Sequence, residues 1–88
     1  RYADIAAAMG EPTDGCSVIE AARRAVVAVR RLIEDVQVPT LRGLGITEEK
    51  LEPVVAQMAE DALASGSPGN NPRKPTKEEI IALYRHAL

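Results

Sequence analysis

Between Ser17 and Val36 the chain carries an apolar pattern wider than a single helix contact can use. Ile19, Ala22, Val26, Val29, Ile33 and Val36 recur every third or fourth residue, which places them on one face of an α-helix. Ala21, Ala25, Ala28 and Leu32 widen that stripe to about half the circumference, beyond the roughly 100° that one packing surface needs. Ser17 and Glu20 form an S-x-x-E capping box that opens the helix, and Pro39 bars its continuation much past Val36. Such a helix is expected to be covered on two sides. The other residues supply little to cover it with. There is no Phe or Trp, the aromatics are Tyr2 and Tyr84, and alanine adds little buried area. Eighty-eight residues make one small domain, and a chain of that size buries only roughly 60–65% of its unfolded surface. Part of the cover is therefore expected to lie outside these residues.

The flanking segments extend the helical reading. In "RYADIAAAMG", Tyr2, Ile5, Ala6 and Met9 fall on one face, and Gly10 suits a C-terminal stop. Nothing at Arg1 can cap this helix, and no initiator Met precedes it, so residue 1 is expected not to be a biological terminus. "VPTLRGLGIT" reads as a loop with one short helical turn ended by Gly43 and Gly45. Thr47 can cap a following helix, but Pro53 disfavours helix at Glu52, so the regular part is expected to start there with Pro53 near its first position. Leu51, Val54, Val55, Met58, Ala62 and Leu63 form its stripe to about Ala64. Thr76 and Glu79 make a second capping box, ahead of a last helix expected to bury Ile80, Leu83, Tyr84 and Ala87. No stretch alternates with period 2. The chain reads as all-α, four helices plus one short turn.

Composition excludes several functions. Eleven Lys and Arg against thirteen Asp and Glu give a net charge of −2, unlike a dedicated nucleic-acid binder. No apolar run approaches the length of a membrane span and no signal peptide is visible. Cys16 is the single cysteine, so no internal disulfide can form, which fits a reducing, cytoplasmic setting. Arg23, Arg24, Arg30 and Arg31 could make a basic patch, but Glu20–Arg24, Arg30–Glu34 and Arg31–Asp35 are i,i+4 pairs of opposite charge, which reads as a solvated face. His86 has no second His or Cys nearby to share a metal and points away from the Ile80/Leu83/Tyr84 stripe, as an exposed histidine near a helix C-terminus does. Cys16 precedes a helix start that could lower a thiol pKa, but no histidine accompanies it in a catalytic arrangement.

"GSPGNNPRKPT", residues 66–76, admits three readings. A phosphate cradle needs a glycine-rich backbone before a helix start and a Lys to reach the anion. The helix, Arg73 and Lys74 are present, but the G-x-x-x-x-G-K-[ST] order is not, and prolines remove the N–H donors an anion nest uses. Prolines also argue against a floppy linker, because Asn71 and Lys74 are pushed to extended geometry. An extended, stiff strap between two helices is the reading that remains.

"NNPRKPTKEEIIALYRHAL" resembles the C-terminal end of the iron-containing alcohol dehydrogenases, where an Asn-Pro-Arg strap, a Thr-capped helix and a final Leu-Tyr pair recur. "RYADIAAAMG" resembles the helix that follows the metal ligands there. "VPTLRGLGITEEKLEPVVAQMAEDAL" resembles that family's turn and following helix. The resemblance covers essentially the whole chain, in order. It implies a two-domain oxidoreductase. Its N-terminal α/β domain binds NAD(P), and an all-helical C-terminal domain of the dehydroquinate synthase-like type holds ferrous iron or, in some members, zinc. The metal polarises the oxygen of a small alcohol or aldehyde while hydride passes to or from the nicotinamide. The family's ligands, one Asp and three His, lie upstream of the matched segment, as does the glycine-rich cofactor motif. The resemblance therefore implies that residues 1–88 hold no catalytic, cofactor-binding or metal-ligating residue. They would serve as scaffold, partnered by the missing N-terminal part of the same polypeptide in a homo-oligomeric parent. Two alternatives stay open: a self-standing helical interaction module, and the C-terminal part of a maleylacetate reductase.

Overall fold

Each helix begins or ends where the local chemistry dictates. In the computed structural model, which describes all 88 residues, the first helix, α1, spans Tyr2–Ala8. Gly10, at φ +83°, ends it: its N–H donates to the Ala7 carbonyl and that of Glu11 to the Ala6 carbonyl, the paired bonds of a left-handed C-terminal cap. Helix α2, Val18–Asp35, opens on the expected capping box. Glu20 N–H donates to Ser17 Oγ at 3.1 Å, and Ser17 N–H to Glu20 Oε2 at 2.9 Å. Its C-terminus repeats the α1 cap with Gln37 in the left-handed position, at φ +57°. The N–H groups of Gln37 and Val38 donate to the carbonyls of Glu34 and Ile33.

The backbone falls into two compact units, Arg1–Val38 and Pro39–Leu88. In the first, α1 packs on α2 through small side chains. Ala6 is fully buried, and Ala21, Ala25 and Ala28 nearly so. The larger members of both stripes stay exposed: Tyr2, Ile5 and Met9 on α1, and Ile19, Val26, Val29, Leu32, Ile33 and Val36 on α2. The two-sided helix is thus covered on its alanine side only. The i,i+4 ion pairs expected on α2 do not form. Glu20 is committed to the capping box, Arg24 donates to the Pro12 carbonyl, and Arg31 reaches Glu11 at 3.2 Å. These arginines fasten the loop between the helices instead of solvating one face.

The second unit opens with a 3₁₀ turn at Arg42–Leu44, closed by Gly45 at φ +84°. Helix α3, Glu48–Leu51, is one turn capped by Thr47 Oγ1. Helix α4 spans Val55–Ala64 and α5 spans Lys77–His86. The helix expected to start at Glu52 thus starts at Val55, and a separate turn, α3, precedes it, making five α-helices and no strand. Pro53 lies two residues ahead of α4, just before its N-cap Val54, and not at the first helical position. The core of this unit is Leu51, Val55, Ala59 and Ile80. Leu83 is 64% exposed and Ala87 is exposed, against expectation; Tyr84 is half-buried. Residues 66–76 are extended only in part. Ser67–Asn70 is a 3₁₀ turn after Gly66 at φ +78°, and the extended course starts at Asn71.

Candidate functional site

The chemistry-bearing side chains of the second unit gather in two places. One is an open cleft of about 720 Å³ between the 66–76 strap and α5, bordered by Asn71, Arg73, Glu79, Leu83 and His86. Asn71 Nδ2 donates to the Arg73 carbonyl, so this side chain satisfies the strap's own backbone. Arg73 forms an ion pair with Glu79, which is also the capping-box carboxylate of α5: Thr76 N–H donates to Glu79 Oε2 at 2.9 Å, and Glu79 N–H to Thr76 Oγ1 at 3.2 Å. Hydrogen bonding from the Thr76 backbone, assisted by Arg73, holds the Glu79 carboxyl below its ordinary pKa.

This arrangement works against a phosphate cradle. The strap's Gly69 and Asn71 amides are spent inside the 3₁₀ turn, on the carbonyls of Gly66 and Pro68. The first turn of α5 carries Glu78 and Glu79, which repel an incoming anion. Lys74 is exposed and Lys77 pairs with Glu60 on α4. What these contacts do accomplish is to tie the strap to α5 and α5 to α4.

The second place is a cluster of Arg42, Glu48, Glu52, Arg85 and Leu88 around a depression of about 420 Å³. Arg85 grips Glu52 with both Nε and Nη2, at 2.7 and 2.8 Å, and Arg42 Nε donates to the Leu88 carbonyl at 2.7 Å. The bidentate hydrogen bonds lower the Glu52 pKa and raise that of Arg85. These partners lie 33 and 46 residues apart, and no local pattern signals them. The arrangement stitches the end of α5 to the start of the unit.

His86 is exposed on the last turn of α5, as expected, but it borders the strap cleft together with Ile80 and Leu83 instead of pointing away from them. Cys16 is half-buried and free, with its N–H on the Thr13 carbonyl at 3.2 Å. Nowhere do three or more His, Cys, Asp or Glu side chains come together with the spacing of a metal site. The side chains of this chain do not fit an iron or zinc ion by themselves.

The whole chain, residues 1–88, matches the model of the C-terminal part of the Fe-containing alcohol dehydrogenase family. The chain belongs to that family. It is 42% identical over 89 residues to a 1,3-propanediol dehydrogenase of Klebsiella pneumoniae. It is also 42% identical over 88 residues to a lactaldehyde reductase of Escherichia coli (strain K12), and 33% identical over 89 residues to an NAD-dependent methanol dehydrogenase of Bacillus methanolicus. These alignments take in 99–100% of this chain and 22% of each relative, so the chain spans about a fifth of the length of the curated relatives it matches. No solved structure gives a significant match.

Proposed function

We propose that residues 1–88 are the C-terminal part of the all-helical domain of an NAD(P)- and metal-dependent alcohol dehydrogenase, which interconverts a small alcohol and its aldehyde by hydride transfer. The observation that carries this reading is the end-to-end match to the C-terminal model of the iron-containing family, joined to relatives named for propanediol, lactaldehyde and methanol. The nucleotide-binding domain and the metal ligands belong to the preceding part of the polypeptide. Iron is the metal the family description favours, and NAD the cofactor in the name of the methanol dehydrogenase. The parent is a cytoplasmic homo-oligomer. No helix of this chain is long and apolar enough to cross a membrane.

Within that enzyme these residues act as scaffold: their ionic groups fasten strap, helices and loop to one another, and none is committed to a substrate. Test both parts of the reading with the full-length polypeptide, reconstituted with ferrous ion under anaerobic conditions and assayed for reduction of NAD⁺ or NADP⁺ by 1,3-propanediol, 1,2-propanediol and methanol. Turnover of at least one of these alcohols is expected, and none with any of them contradicts the enzyme reading. The His86→Ala variant should keep kcat/KM within about twofold of the parent, because a group outside the reacting centre stabilises no transition state. A loss of a hundredfold or more would place His86 in the catalytic machinery and end the scaffold reading.

A further inference from the structure

The uncovered side of α2 carries two features that an ordinary solvated helix lacks. Ile19, Val26, Val29, Ile33 and Val36 form an exposed aliphatic ridge about 25 Å long at the standard helical rise, enough to seat a helix of about seventeen residues. Beside it Tyr2, Ile5, Ala25, Val26 and Val29 enclose an apolar notch of about 250 Å³ between α1 and α2. That notch has room for a Leu-, Met- or Phe-sized side chain. The second feature is charge. Arg23 and Arg30 stand two turns apart on the edge of the helix next to Ile19, Val26 and Ile33. Neither has an ion-pair or hydrogen-bond partner, whereas Arg24 and Arg31, on the far edge, are both engaged.

We propose that this ridge is the seat of an amphipathic helix from the part of the same polypeptide that lies outside residues 1–88. That helix places a large apolar side chain in the Tyr2/Ile5/Val26/Val29 notch and carboxylates beside Arg23 and Arg30. The inference rests on the reading of the chain as part of a longer dehydrogenase. Relatives of which it spans 22% leave ample polypeptide to supply the occupant. The ridge is matched to a partner of defined pattern, apolar along one face with acids along one border, and not to a generic greasy surface.

Thiol accessibility in the full-length polypeptide tests this. Carry a Cys16→Ser background and compare Val26→Cys, on the ridge, with Val27→Cys, which is exposed about 100° round α2 from it and lies outside the ridge; valine to cysteine is a near-isosteric change, so both variants are expected to fold. Maleimide labelling of Val26→Cys should be at least about tenfold slower than that of Val27→Cys, because it requires local opening, and the ratio should not change on dilution. Equal rates overturn the inference, since they leave the ridge bare or kept for another protein. Protection that fades as light scattering reports dissociation of the oligomer also overturns it, in favour of a second copy. Alcohol-dependent reduction of NAD(P)⁺ by the same preparations reads the enzyme reading separately, so an active enzyme with an open ridge sinks only the inference.

Discussion

Gln37 holds a left-handed backbone at φ +57° to close α2, a geometry that costs an L-residue roughly 1–2 kcal/mol and that glycine adopts freely. Its cap is otherwise complete, so Gln37→Gly in the full-length protein should stabilise by about 0.5–1 kcal/mol, read from chemical denaturation. A destabilisation would mean that the glutamine side chain has a role the cap does not explain. At the other end of the chain, Glu79 serves the capping box and Arg73 together. Its folded pKa is lowered, so its contribution to stability is present above the ordinary glutamate value and lost as pH falls through the lowered one. Glu79→Gln keeps the reach of the side chain and removes the charge. It should lower Tm at neutral pH, and the difference from the parent should vanish below the carboxylate range. A difference independent of pH would assign the effect to the cap alone. Both capping boxes were legible in the sequence because S/T-x-x-E is a local signal. Gln37 was not, because the left-handed stop at that position is carried by a residue that usually avoids it.

Among the elements, α2 is where sequence and structure part most instructively. The periodicity identified the helix and the breadth of its apolar surface, but the stripe it singled out is largely exposed and the neighbouring helix takes the alanines beside it. Helix α1 takes the alanine half because small side chains let two backbones approach closely, whereas valine and isoleucine hold them apart. Ala21→Leu should therefore cost about 1–3 kcal/mol by overpacking the buried α1–α2 contact. Thermal unfolding of the full-length protein reads this, and an unchanged Tm would show that α1 sits on α2 loosely. The strap differs in another way. Asn71 before Pro72 is extended, at φ −70°, ψ 142°, as expected, but Ser67–Asn70 closes a 3₁₀ turn after the left-handed Gly66. Proline at Pro68 favours that turn, because its fixed φ suits the first turn of a helix. The helix expected to start at Glu52 instead starts at Val55, with a separate one-turn helix ahead of it, for a related reason. Thr47 caps the first turn, and Glu52 stays helical at φ −55°, ψ −42°, against the expectation that Pro53 would exclude it; what stops the turn from running on into α4 is the N–H that Pro53 lacks, with the backbone breaking at Val54.

For the molecule as a whole, the fold class was readable because four capped or glycine-stopped segments with helical period leave no alternative to an all-α chain. The burial was less readable. Leu83 faces solvent although it lies one turn from buried Ile80, and the aliphatic ridge of α2 faces it too. The ionic stitches Glu52–Arg85 and Arg42–Leu88 depend on chain topology that no local pattern carries. Both exposed surfaces are what the proposed account expects, in which these 88 residues are about a fifth of a longer enzyme. The most direct measurement is the intact mass of the gene product purified from its own cells. The account predicts a polypeptide roughly four to five times the 9.4 kDa of this chain, from the 22% share of its relatives that it spans. A mass near 9.4 kDa would contradict it, and would make the ridge of α2 the binding face of a small helical protein.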